Sequence, residues 1–225
     1  MKLSNSVHKI DDVRGANCYL CTISDGLTII DSGMPGNAKK ILQYISSIGF
    51  QTKDVRYIIL THADIDHSGS AAELKEVTGA KVAIHKLDAP RIAGEAAIKE
   101  VKGFIGIFFG IFTSFTSFAP LKADILLEDG QTIDGLKIIH IPGHTDGSIC
   151  LYKEGEALFA GDTLRTTSKK EPRLPPSFLS VSMNQLKDSL KKILPLKYGM
   201  LLVGHGPPIL DNASEQVYRL VNMYQ

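Results

Sequence analysis

Cysteine is scarce in this 225-residue chain, and neither sign of charge is in real excess. Three cysteines are an odd count, which argues against a disulfide framework and for a reduced compartment. Cys18 and Cys21 form a C-x-x-C, but no second pair accompanies them. They fall in an apparent strand, Asn17 to Thr22, where positions three apart face opposite sides, so they read as two small buried side chains. The net charge is +1, and no basic run is long enough to make a nucleic-acid surface. The opening Met1-Lys2-Leu3-Ser4-Asn5-Ser6 lacks the apolar stretch of a secretory signal, so a cytoplasmic location is expected. No short-period repeat and no low-complexity linker divides the sequence. One domain over residues 1–225 is the expectation.

What the chain does have is a dense run of metal-type ligands, Thr61-His62-Ala63-Asp64-Ile65-Asp66-His67. It follows Val55, Tyr57, Ile58, Ile59 and Leu60, which read as a buried strand, and precedes a helix predicted over Ser68 to Val77. Imidazoles and carboxylates at this spacing, on a strand-to-helix turn, suit zinc, iron or manganese. Three further strand ends carry the same chemistry. Pro142-Gly143-His144-Thr145 follows Leu136, Ile138, Ile139 and Ile141; Gly161-Asp162 follows Ala157 to Ala160; Gly204-His205-Gly206 follows Met200 to Val203. Glycine beside a ligand lets backbone and metal approach closely. Four such ends in succession predict a site assembled at one edge of a sheet.

These motifs make the chain resemble the metallo-β-lactamase superfamily, from Asn17-Cys18-Tyr19-Leu20 and Ile29-Ile30-Asp31-Ser32-Gly33 through to His205. The resemblance implies an α+β fold, a four-layer αββα sandwich. It implies two divalent metal ions: His62, Asp64 and His144 holding one, Asp66, His67 and His205 the other, and Asp162 bridging. The usual family motif is H-x-H-x-D-H, and Asp64 stands here at its second histidine. That replaces a neutral nitrogen ligand by an anionic oxygen. Zinc is the expected ion, while Asp64 brings in iron or manganese, since flavodiiron proteins of the same fold carry a carboxylate at this position.

The remaining pattern fits two β-rich halves with flanking helices. Strands run to about Asp31, then a helix over Asn37 to Ile48 with Ile41, Leu42, Ile45 and Ile48 on one face and Gly49 ending it. A strand over Lys81 to Ile84 follows the metal turn, a second half begins near Asp124, and a helix over Asn212 to Tyr224 closes it. Between the halves, near residues 103–119, lies an apolar insert with six of the nine phenylalanines, among them Phe104, Phe108, Phe112 and Phe115 at helical spacing. A membrane span needs roughly 20 apolar residues, and this run is shorter and broken by Gly106 and Gly110. No integral span is expected; the insert reads as a lid over the site, a homodimer surface, or a helix lying on a membrane. Thr166 to Ser177 is a proline-stiffened loop; Arg173 within it, or Arg165 just before it, could meet a substrate anion, although a solvated charge is the plainer role. His140 reads as a strand histidine bonded behind the ligands, His85 and His8 as structural, and Asp31 as a brace beneath the metal turn.

The expected chemistry is hydrolysis of a small-molecule ester, thioester or lactone by a metal-bound hydroxide, with Asp66 as ligand and as the catalytic carboxylate that orients the nucleophile. This resembles the glyoxalase II-like and lactonase-like branches. No serine or cysteine has a base and an orienter beside it; Ser68 follows the motif without either. The alternatives are a phosphodiesterase, a non-haem iron protein handling oxygen, nitric oxide or persulfide, and a binding scaffold without turnover.

Overall fold

Apolar runs of four to seven residues become the main strands of two compact units, joined by shorter strands of two or three residues. The computed structural model describes residues 1–23, 26–96 and 119–224. The phenylalanine-rich insert, apart from Ala119, lies outside the described residues. Among them, no helix is long and apolar enough to cross a membrane.

The first unit comprises residues up to 96 together with 119–126. Its sheet has six strands in sequence order: β1 (Val7–Ile10), β2 (Cys18–Ile23), β3 (Gly26–Ile30), β4 (Val55–Ile59), β5 (Lys81–His85) and β6 (Ile125–Leu127). β1, β2 and β3 are antiparallel neighbours, whereas β3, β4 and β5 run parallel. Parallel neighbours need crossovers, and helices supply them. The first is α1 (Ala38–Ser47), which buries Ala38, Ile41 and Ile45 against the sheet and stops at Gly49, φ +91°. Leu20, Leu27, Ile29, Ile58, Leu60, Val82 and Ile84 complete this core, all fully buried.

The helix predicted after the metal turn divides in two, α2 (Ile65–Ser68) and α3 (Ala71–Thr78). It begins three residues earlier than expected, inside the ligand motif, and breaks at Gly69. The Gly69 N–H donates to Gly33 O at 2.9 Å instead of continuing the helix, and a Cβ there would lie 2.4 Å from Pro35 Cδ. The turn is thereby pinned to the loop that follows β3. A last short helix, α4 (Ala89–Ile92), follows β5.

The second unit covers residues 127–224. Its strands are β7 (Thr132–Ile133), β8 (Leu136–His140), β9 (Ile149–Lys153), β10 (Gly155–Gly161), the ribbon pair β11 (Arg165–Thr166) and β12 (Pro172–Arg173), and β13 (Tyr198–Val203). Five of them form a sheet in the order β13-β10-β9-β8-β7. β9 is antiparallel to both β8 and β10, and β10 is parallel to β13. β8, β10 and β13 therefore all point one way, and the residues that follow them emerge at the same sheet edge. Helices α5 (Met183–Leu190) and α6 (Ala213–Asn222) bring Leu186, Leu190, Val217 and Val221 to a core with Leu158, Ala160, Leu201 and Val203.

Candidate metal centre

In the first unit, the parallel register pairs Ile30 with Ile59, so Asp31 and the Thr61–His67 turn leave the sheet side by side. The neighbours are then bonded tightly. Asp31, 2 % exposed, accepts from Thr61 N at 2.8 Å, from Thr61 Oγ1 at 2.8 Å, and from His67 Nδ1 at 2.7 Å. The bond to Nδ1 makes Nε2 of His67 the nitrogen that could ligate a metal, the carboxylate–histidine arrangement common behind metal sites. Thr61 Oγ1 also lies 3.1 Å from His62 Nδ1, which directs His62 in the same sense. The two imidazoles are buried, with ring centroids 4.0 Å apart. His62 Nε2 is 3.5 Å from Asp64 Oδ2.

The backbone of this turn is held from three sides. Ser32 donates through N and Oγ to His67 O at 2.6 and 2.9 Å. Asp64 is the N-cap residue of α2, and its carbonyl receives His67 N and Ser68 N. Asp88, fully buried, accepts from Ala63 N at 2.9 Å and pairs with Arg91 at 3.0 Å. Asp66 sits half-buried on the single turn of α2.

In the second unit, the pairing of Gly161 with Val203 places Asp162 beside Gly204 and His205. Asp162 Oδ2 lies 3.5 Å from His205 Nε2 and 3.9 Å from His144 Nε2. One carboxylate oxygen thus faces both imidazoles. The His144 loop is packed onto the start of α5: Val181 N donates to His144 O at 3.2 Å, Ser182 N to Gly143 O at 2.9 Å, and Ser180 Oγ is 3.4 Å from His144 Nδ1. Only glycine fits at 143, where φ is +136° and a Cβ would come 2.4 Å from Leu186 N. His140, on β8, meets Asp146 O at 2.7 Å through Nε2 and so ties down the same loop.

These separations suit metal ligation. Two ligand atoms bound at about 2.0–2.1 Å to a tetrahedral ion lie about 3.3–3.4 Å apart. Both 3.5 Å pairs match that, and both exceed a good hydrogen bond. The donor set of imidazole and carboxylate fits zinc, with the extra carboxylate of Asp64 suited to harder ions.

Within each unit the predicted residues come together: His62, Asp64, Asp66 and His67 on one turn, and His144, Asp162 and His205 at one sheet edge. Asp31 is the expected brace. Sequence reasoning missed the roles of Ser32, Asp88 and Ser180, which bond to His67, Ala63 and His144 across 35, 25 and 36 positions. Their only signal was polarity in a buried setting. His85 is buried and its Nδ1 receives Leu87 N, and His8 meets Tyr44 Oη at 3.1 Å; both are structural.

Comparison with known proteins adds the family. The metallo-β-lactamase superfamily model matches residues 11–205. The chain belongs to that superfamily. Among relatives, the probable metallo-hydrolase YflN of Bacillus subtilis is 28% identical over 218 residues, covering 88% of this chain and 83% of its own. A hydroxyacylglutathione hydrolase of Pelagibacter ubique is 35% identical over 131 residues, covering 58% of this chain and 44% of its own. The class B3 di-zinc metallo-β-lactamase LRA-12, from an Alaskan soil metagenome, superimposes with a TM-score of 0.67 at 25% identity over 91% of this chain and 77% of its own. The fold is the α+β metallo-β-lactamase fold, and the chain stands among metallo-hydrolases.

Proposed function

We propose that the protein hydrolyses an ester, thioester or lactone bond in a small molecule, and that residues 1–225 work as one domain. His62, Asp64 and His144 would hold one divalent ion and Asp66, His67 and His205 the second, with Asp162 available to both. The observation that carries the reading is the position of Asp162 Oδ2, shared between His144 Nε2 and His205 Nε2. Zinc is the expected metal, with iron or manganese drawn to the ion that Asp64 ligates. Held there, the ions would supply a Lewis acid for the carbonyl and lower the pKa of a water toward neutrality. The chain's own residues do the rest. Asp66, on the single turn of α2, would orient the attacking water. Burial of His62, His67 and Asp162 keeps bulk water from the ligands. The thioester class is supported by the hydroxyacylglutathione hydrolase relative.

The test is metal analysis beside a hydrolysis screen over esters, lactones, thioesters and phosphodiesters, with protein of defined metal content. Wild type should carry up to two ions and cleave one of the acyl classes; His205→Ala should lower metal content and abolish turnover. Full activity in His205→Ala at wild-type metal content would remove His205 from the centre. Cleavage of phosphodiesters alone, or two irons with oxygen uptake and no hydrolysis, would replace the reading.

A further inference from the structure

The strand pairing that builds the ligand turn also delivers a charge behind it. β4 and β5 are parallel, with Ile59 opposite Ala83, and Leu60 N donates to Ala83 O at 2.9 Å. Both strands therefore end at the same edge, and the chain leaving β5 passes the chain that enters the turn. It brings the fully buried Asp88 to Ala63. Asp88 Oδ2 accepts from Ala63 N at 2.9 Å, and Oδ1 pairs with Arg91 at 3.0 Å. A tight backbone fixes this carboxylate in place: Asp88 N donates to His85 O and Arg91 N to Asp88 O, both at 3.0 Å, and the buried Ile92 anchors α4.

A buried ion pair adds little stability over a well-packed apolar pair of the same volume, so its place in the fold needs another account. Ala63 stands between His62 and Asp64. Its N–H is bonded to Asp88, and its carbonyl accepts from Ser68 Oγ at 3.1 Å. The first bond orients the peptide plane before Ala63 and the second the plane after it. Those planes carry the Cα atoms of His62 and Asp64, whose side chains meet at 3.5 Å. Asp66 and His67 are held from elsewhere. Ala16 N donates to Asp66 O at 3.0 Å, Ser32 N and Oγ donate to His67 O, and Asp31 accepts from His67 Nδ1. Asp88 thus bears directly on one ligand pair, and a separate set of bonds on the other.

We propose that Asp88, backed by Arg91, is a positioning residue for the ion assigned to His62 and Asp64. It holds those two side chains at ligand spacing, and the ion assigned to Asp66 and His67 does not depend on it. This rests on the two-ion reading above and deepens it, because it makes the ions separable through a residue that ligates neither.

The test is zinc binding by the full chain, measured calorimetrically against a competing chelator, with His62→Ala and His205→Ala marking which step belongs to which ion. In Asp88→Ala the step that His62→Ala abolishes should weaken about 10- to 100-fold, and the step that His205→Ala abolishes should shift by less than about 3-fold. Asp88→Asn keeps an oxygen for Ala63 N and should recover most of the lost affinity, a selective rescue that general loss of structure would not show. Equal weakening of both steps, or of neither, overturns the proposal and leaves the two-ion reading standing. If wild type binds a single ion, the two-ion reading falls, and Asp88 keeps its role only if that ion is lost in His62→Ala and weakened in Asp88→Ala. A wild type that binds no zinc overturns both. Should Asp88→Ala fail to fold, Arg91→Gln decides. A buried carboxylate stripped of its cation turns away or takes up a proton, so the same step should weaken roughly 3- to 10-fold, and an unchanged step overturns the proposal.

Discussion

Asp31 shows how one buried carboxylate fixes a ligand turn. It has a left-handed backbone, φ +58°, a conformation that aspartate tolerates better than most residues. From there its two oxygens meet Thr61 N, Thr61 Oγ1 and His67 Nδ1. Asp31→Ala strips the acceptor from three buried donors at once. Each unsatisfied donor costs about 1–3 kcal/mol, and because they relax together a total loss of roughly 3 kcal/mol is expected. Asp31→Asn keeps an oxygen for Thr61 but presents an amide nitrogen to His67 or forces a flip. Metal affinity should fall about 10- to 100-fold in both variants, while Asn should recover most of the stability. Urea unfolding and competition with a chelator separate the two effects. Wild-type metal affinity in both variants would show that His67 needs no such partner.

At the scale of elements, β8 carries a polar brace whose strength depends on pH. Asp129 accepts from His140 N at 2.8 Å and from Lys192 Nζ at 2.9 Å, and Lys192 donates as well to His140 O. Burial alone would raise the Asp129 carboxyl, but the bonds from His140 and Lys192 outweigh it and hold the group below the ordinary 3.8. A carboxyl depressed in the folded state stabilises above its unfolded value, and that stability is lost as pH falls through the lower folded value. The pair is about half exposed, so its worth is under roughly 1 kcal/mol. Asp129→Asn should lower the urea midpoint slightly at pH 7, and the difference should shrink to nothing as pH is taken well below 3.8. A difference that persists there would mean packing rather than charge. The strands β4, β8, β10 and β13 and the helix after Asn37 were legible because each is an apolar run ended by a turn residue. The break at Gly69 was not, since it depends on Gly33 and Pro35, more than thirty positions away. Strand order was equally hidden, because the ligands fix which strand ends converge but not which strands are neighbours. The seven ligand-type residues were legible by spacing; Asp88 was not, since nothing local ties it to Ala63.

Over the whole molecule, the cysteines give each unit a reporter of its own. None of the three is in a disulfide, and all are buried. Cys18 and Cys21 lie on β2 of the first unit and Cys150 on β9 of the second. Burial pushes the Cys18 thiol well above its ordinary value, with Asp31 adding to it, and burial pushes Cys150 up to about 12 despite a hydrogen bond with Thr163. The thiolate is the reacting species, so the native protein should resist alkylation near pH 8 through both lack of access and lack of ionisation. Pulse alkylation across a urea series, read by mass at each cysteine, then follows the units separately. If residues 1–225 are one domain, as proposed, Cys18 and Cys150 become reactive over the same urea range. Removing metal should then shift both midpoints down together, because in the proposed centre the two ions would draw ligands from both units and stabilise whatever binds them. Two separate midpoints, with only one responding to metal, would divide the domain and assign the ions to the unit that responds.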